Sequence, residues 1–257
     1  MRYFVSAADD ERAGELTERL RNAGYDVVEE YEPGAVVLSV GGDGAILYNA
    51  RRYGEPTLLP VRVADSEGNR IQVDVEDAVD RVSLLESGRE GEDYRTVRHH
   101  KLTALVDGDP VRDGFRAMND VHLHHASPVR AAKFGVTVID GGEVVYETDG
   151  AIGDGLLVAT PFGSTAYYRS ITGSTFAEGL GVAFNNAHKP ADAPESLVVS
   201  PGARVRLTLN ETTYGENALL VRDDDPDPYR LSADDPVEIR RSEAAVEAIR
   251  FPDRGDE

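Results

Sequence analysis

Four residues, Gly41-Gly-Asp-Gly44, carry the most suggestive chemistry in the chain. Glycines at 41, 42 and 44 let backbone N–H groups approach a polyphosphate with no Cβ in the way, and a helix that follows offers its positive N-terminal end. Asp43 would then face the phosphates. A carboxylate there can accept the proton of an attacking hydroxyl, or help hold the Mg2+ that accompanies ATP. The same composition also suits an ordinary tight turn. Two features favour phosphoryl transfer, which asks a protein for positioning and charge neutralisation more than for covalent chemistry. One is the apolar run Gly34-Ala-Val-Val-Leu-Ser-Val-Gly41 that leads into the turn, and the other is a second motif far downstream.

That second motif is Gly153-Asp-Gly-Leu-Leu-Val-Ala-Thr-Pro-Phe-Gly-Ser-Thr-Ala-Tyr167. A hydrophobic strand emptying into a Thr/Pro/Gly/Ser/Thr loop supplies hydroxyls and free amides, the groups that hydrogen-bond a nucleotide's ribose, amide or phosphate. Between the two motifs, Asn119-Asp120 heads another strand. If Val121 and Leu123 of that strand point inward, His122 and His124 share the outer face, a spacing that can chelate a metal but more often makes a polar face. His99-His100 carries a weaker signal of the same kind, and no metal site is assigned.

Particular elements must position these groups. A strand over Met1 to Ala7 leads to a helix near Asp9 to Ala23, with Asp9 or Asp10 as cap and Gly24 at its end. Tyr25 to Glu29 is extended, Gly34 to Gly41 reads as a parallel strand covered on both faces, and Ala45 to Tyr53 begins a helix. The glycine turn thus lies at the carboxyl end of a strand, where open α/β sheets bind ligands. Asp65 to Arg70 is a polar turn, Val75 to Gly88 a helix, and Ser87 to Asp93 a linker. Beyond Arg95 the runs Val97–Val106, Gly114–His122, Ala131–Ile139, Glu143–Glu147 and Gly155–Ala159 are short and divided by turns such as Asp140-Gly-Gly. Ala203 to Leu209 is a further strand, and Pro236 to Phe251 reads as a hairpin around Ser242-Glu-Ala. The expected fold is an α/β domain with a parallel sheet over residues 1–94, then a β-rich, sandwich-like domain over 95–257 whose last segment packs back on the first.

Composition narrows the function classes. The 257 residues suffice for a sizeable core. With no cysteine, disulfides, thiolate catalysis and Cys-based metal sites are excluded. The formal charge of -20, from 47 acidic against 27 basic residues, argues against a nucleic-acid or anionic-membrane surface. No run approaches the roughly 20 apolar residues needed to span a bilayer, and no basic leader with an apolar run opens the chain, so a cytoplasmic location is expected. Only Lys101, Lys133 and Lys189 are lysines. An acid-rich, Lys-poor surface over 40% hydrophobic residues in periodic runs fits adaptation to high salt better than disorder.

Gly41–Gly44, Asn119-Asp120 and Gly153–Tyr167 match, in order and spacing, the three motif regions of the NAD kinase family, which the chain resembles over about 35–50 and 95–175. The resemblance implies an enzyme that uses ATP, with Mg2+, to phosphorylate the adenosine ribose 2'-hydroxyl of NAD. It implies Asp43 as the catalytic carboxylate and Gly41, Gly42 and Gly44 around the phosphates. Asn119 and Asp120 would hold ribose hydroxyls and amide, and Asp154 would reach the nicotinamide part. Thr165, Ala166, Tyr167 and Ser170 would contact the adenosine and, in a homo-oligomer (dimer or tetramer), a neighbouring subunit's ligand.

The chain departs from the family in several places. Ala45 replaces the usual Thr, and Arg62-Val-Ala-Asp-Ser-Glu-Gly-Asn-Arg70 replaces the acceptor loop after Val61. Arg222-Asp-Asp-Asp-Pro226 stands in place of a later Asp-Gly, and Phe162 replaces a small polar residue and offers an aromatic face. Two other readings stay open, a related kinase acting on a lipid or sugar hydroxyl, since lipid kinases share the Gly-Gly-Asp-Gly turn, and, on the grounds of these departures, a non-catalytic dinucleotide-binding paralogue.

Overall fold

The computed structural model describes residues 1–63, 73–127, 129–210, 218–231 and 236–252. The polar turn at Asp65–Arg70, and with it most of the replacement for the acceptor loop, lies outside the described residues. The chain divides into two compact units, Met1–His99 with Ala245–Glu257, and His100–Ala244. The boundary expected from the sequence is residue 94.

The first unit holds β1 (Arg2–Ala7), α1 (Asp10–Asn22), β2 (Asp26–Val27), β3 (Val36–Val40), α2 (Asp43–Arg52), β4 (Thr57–Arg62), β5 (Val73–Asp74) and α3 (Ala78–Ser87). Asp9 caps α1 by accepting from the Glu11 N–H at 3.0 Å, which satisfies one of the helix's orphan donors. β1, β3 and β4 pair in parallel, Val5 with Leu38 and Leu38 with Leu59. All five residues of β3 are buried, which is why its sequence shows no polar alternation. Tyr3, Leu38, Leu59, Leu16 and Val82 belong to one core cluster on the face covered by α1 and α3. On the face covered by α2, buried Asn49 accepts from Ser6 Oγ at 2.7 Å and donates to Ser39 Oγ at 2.9 Å. The glycine turn is therefore followed by a helix pinned to two strands by hydrogen bonds as well as by Ile46, Leu47 and Ala50.

The second unit carries most of β6 (Arg95–Val106), then β7 (Asp109–Pro110), β8 (Asp120–His125), β9 (Ala132–Asp140), β10 (Glu143–Gly153), β11 (Gly155–Ala159), α4 (Tyr167–Thr172), β12 (Leu180–Asn185), β13 (Ser196–Val199), β14 (Arg204–Leu209), β15 (Ala218–Arg222), β16 (Tyr229–Leu231) and β17 (Val237–Arg250) up to Ala244. One antiparallel layer runs β10-β9-β14-β17 and another runs β13-β12-β11-β8-β15-β16. Phe134, Val136, Val205 and Ile239 from the first layer share a core with Leu123, Leu156, Val182 and Leu220 from the second, which makes the unit a β-sandwich.

Three expectations change. Pro236–Phe251 is not a hairpin: β17 is one strand of 14 residues, antiparallel to β14 at Arg204↔Arg240 and parallel to β4 at Glu247↔Thr57. Ser242-Glu-Ala contains no Gly, Asn or Asp to set the positive φ of a tight hairpin turn. α2 starts at Asp43, two residues before Ala45, with Gly42 as its cap residue. The strand expected over Gly114–His122 begins only at Asp120, because the N–H groups of Met118, Asn119 and Asp120 are taken by the Asp223 carboxylate. The sequence pattern does not reveal β4, β5, β7, β12, β13, β15 and β16.

Candidate active site

In the first unit the Gly41–Gly44 turn joins the carboxyl end of β3 to α2. Gly41 has φ +147°, in the region only glycine enters without strain, and a Cβ there would meet Ala45 Cβ at 3.0 Å. Its N–H donates to the Val61 carbonyl at 2.9 Å, which fixes the turn to β4. Asp43 stands in the first turn of α2, where the helix dipole favours its charge. Its Oδ1 is buried with no hydrogen-bond partner in the protein. A buried carboxylate oxygen without a donor costs about 1–3 kcal/mol, so this atom is poised to receive a hydroxyl proton or a cation.

In the second unit Asn119 and Asp120 stand at the start of β8. The Asn119 carbonyl accepts from Thr160 N at 2.8 Å, and the Thr160 hydroxyl donates to the Met118 carbonyl at 2.6 Å while accepting from Gly163 N at 3.0 Å. A Cβ on Gly163 would lie 2.0 Å from the Asn119 oxygen, so the Thr-Pro-Phe-Gly loop needs glycine at that point. Asn119 Oδ1 is itself buried and unpartnered. Asp120, 5% exposed, has its carboxyl pushed up to about 8 by burial and then by the charge of Asp223. Asp223 is also raised by burial, against three backbone N–H groups that lower it. Those donors bond the ionised form, which favours the charge on Asp223 over Asp120.

Asp154, between β10 and β11, is exposed and accepts from Asn186 Nδ2 at 2.6 Å. Thr165 ends a single 3-10 turn, Ala166 is the cap residue of α4, and no side chain caps that helix. Tyr167, 41% exposed, is not core: its hydroxyl accepts from Asn185 Nδ2 at 3.1 Å. Ser170 is exposed on α4. Asp154 and Tyr167 line one cavity of about 300 Å³ with His122, His124 and Asn185, and Tyr167 and Ser170 line a neighbouring one of about 420 Å³. Asn119, Asp120, Thr165 and Ala166 line neither. Phe162, at 7% exposure, is buried and presents no open face for stacking.

Val121 and Leu123 do point into the core, and His122 and His124 share the other face with ring centroids 5.1 Å apart. His122 also meets Tyr167 edge to face at 5.2 Å. Burial, and next the charge of His124, push the His122 imidazole down to about 4 against the pull of Asp154, so it is neutral at pH 7. Among the described residues no group of three or more His, Asp or Glu is placed to hold a metal ion. Sequence reasoning missed Asp223, noted only as part of the Arg222–Pro226 segment that departs from the family, and Asn185, which closes a strand the sequence pattern does not reveal.

The ATP-NAD kinase C-terminal domain family matches residues 118–251. The NAD kinase of Aeropyrum pernix is 31% identical over 223 residues, covering 85% of this chain and 73% of that protein. The NAD kinase of Methanosarcina mazei is 24% identical over 256 residues, 98% of this chain and 80% of that one. Among solved structures, yeast NADH kinase complexed with NADH superposes with a TM-score of 0.78 at 16% identity, over 99% of this chain and 84% of that chain. An NAD kinase from Archaeoglobus fulgidus in complex with ATP gives 0.70 at 19% identity, over 99% and 94%. The two structures share the α/β and β-sandwich fold, and the sequence matches settle the lineage: the chain belongs to the NAD kinase family.

Proposed function

We propose that the protein transfers the γ-phosphoryl group of ATP to the 2'-hydroxyl of the adenosine ribose of NAD, giving NADP. The observation that carries this reading is the Asp43 carboxylate, with a buried unpartnered oxygen, in the first turn of a helix that follows a glycine turn at a strand's carboxyl end. Asp43 accepts the proton of the attacking hydroxyl, and the Gly41, Gly42 and Gly44 backbone lies along the phosphates. Mg2+ enters with ATP and offsets phosphate charge, and the free Asp43 oxygen suits a hard cation.

Asn119 and Asp120 recognise the acceptor. Protonated Asp120 is able to donate a hydrogen bond, and Asn119 offers both donor and acceptor. Asp154, Thr165, Ala166, Tyr167 and Ser170 contact the rest of the dinucleotide, supported by the Tyr167–Asn185 hydrogen bond and the two cavities that Tyr167 lines. Exposed Tyr167 and Ser170 suit a homo-oligomer in which a second copy completes this contact. The formal net charge of -20 suits a protein working in concentrated salt in the cytoplasm. No helix among the described residues is long and apolar enough to cross a membrane. The test is incubation of purified protein with ATP, Mg2+ and NAD in molar salt, read out by an NADP-specific dehydrogenase. No NADP above a protein-free control would overturn the assignment.

A further inference from the structure

The last residue of β17, Arg250, occupies a position that the proposed chemistry of Asp43 leaves without a role. β17 pairs in parallel with β4 through Glu247↔Thr57 and Ala248↔Leu58. That register, continued by two residues, sets Arg250 level with Pro60, and Pro60 pairs with Ser39 across β4 and β3. Residues in register on parallel strands share a face. Ser39 is on the face covered by α2, since its hydroxyl accepts from Asn49 of that helix. Ile249 and Phe251, on either side of Arg250, pack in the opposite cluster with Val82 and Leu85 of α3. Arg250 therefore projects to the α2 side, at the carboxyl edge of the parallel sheet, where the glycine turn emerges.

We propose that Arg250, with Arg95, forms the cationic part of a polyphosphate subsite at the Gly41–Gly44 turn, beside Asp43. The Arg250 guanidinium there is acted on by two other charges, the Arg95 guanidinium and the Asp43 carboxylate. Burial holds Arg250 below the usual guanidinium range, Arg95 pushes it further down, and Asp43 pulls it back up. A half-buried arginine next to a second arginine favours an anion arriving between them, and guanidinium groups meet phosphate oxygens in bidentate geometry. The turn and the N-terminal end of α2 lie on the same edge of the sheet, so a phosphate chain there meets the helix end and the side-chain donors together. This deepens the kinase reading, because the ligand is the phosphate chain of its donor.

The experiment is calorimetric titration of inorganic tripolyphosphate and, separately, of Mg·ATP into the full-length wild type and into Arg250→Gln, Arg250→Lys and Arg95→Gln. Wild type is expected to bind, and Arg250→Gln and Arg95→Gln each to weaken binding about ten- to a hundredfold, the worth of a charged hydrogen bond. Arg250→Lys recovers part of the loss, because it keeps the charge without the fork. Tripolyphosphate that binds and competes with ATP identifies the phosphate chain as the recognised group. ATP binding alone, weakened in the same variants, assigns the subsite to a nucleoside triphosphate. No binding of either ligand by wild type, or affinities unchanged in the variants, overturns the proposal. Arg95→Gln and Arg250→Lys keep the test alive if Arg250→Gln does not fold. Failure of the kinase reading is distinguishable: wild type that binds polyphosphate but forms no NADP leaves the subsite standing.

Discussion

Asp223 accepts the backbone N–H of Asn119 at 2.6 Å, across 104 positions of sequence, and takes the N–H groups of Met118 and Asp120 as well. One carboxylate thus sets the backbone from which both proposed acceptor residues project. Asp223→Ala would strand three buried donors, each at about 1–3 kcal/mol. We expect lower stability and weaker NAD binding, with Mg·ATP affinity little changed. NAD titration in a variant still folded by circular dichroism checks this, and wild-type affinity would remove Asp223 from acceptor positioning.

Asp43→Asn keeps shape and removes the base. If Asp43 takes the hydroxyl proton, kcat falls about 10²- to 10⁴-fold while NAD affinity stays close to wild type. Steady-state kinetics and equilibrium titration separate the two. Full turnover in the variant excludes proton transfer to this group.

Asp120 gives the fold a defined pH dependence. Its carboxyl is raised from 3.8 to about 8, so the folded chain binds the proton more tightly than the unfolded chain. As pH climbs from about 4, the unfolded chain ionises first, and stability declines until the folded group titrates near 8. Asp120→Asn lacks this loss. Its stability relative to wild type should therefore grow between pH 4 and pH 8, as measured by urea midpoints at several pH values. Parallel curves for the two proteins would show that Asp120 is ionised in the fold.

Asn49 bridges Ser6 on β1 and Ser39 on β3 from within α2. Asn49→Ala takes a hydrogen-bond partner from two hydroxyls under the helix and should cost about 1–3 kcal/mol. Because Asp43 begins the same helix, an elevated KM for ATP should accompany the loss. A denaturation midpoint identical to wild type would show that the apolar contacts of α2 hold it without the bridge.

Salt should stabilise the protein. With a formal charge of -20, raising KCl from low to molar concentration screens self-repulsion and should raise the melting temperature. A flat or falling melting curve would contradict adaptation to concentrated salt.

The sequence alone determined the features that rest on local chemistry. An almost unbroken apolar run before Gly41 required a buried parallel strand, the glycines required a turn there, and Asp9 and Gly24 bounded α1 because caps act through neighbouring backbone. Alternation in Val121-His-Leu-His124 sufficed to put both imidazoles on one face, since successive side chains of a strand point to opposite sides. Tertiary structure decided what depends on partners distant in sequence. Asp223 became a backbone acceptor only when β15 paired with β8, and until then it was one aspartate in an acidic run. Ser242-Glu-Ala stayed extended because β14 and β4 each offered β17 a ladder, so the chain gained nothing by folding back. Arg250 likewise came to the face beside Asp43 through the register of β17 on β4, a pairing between segments at opposite ends of the chain that no local pattern records.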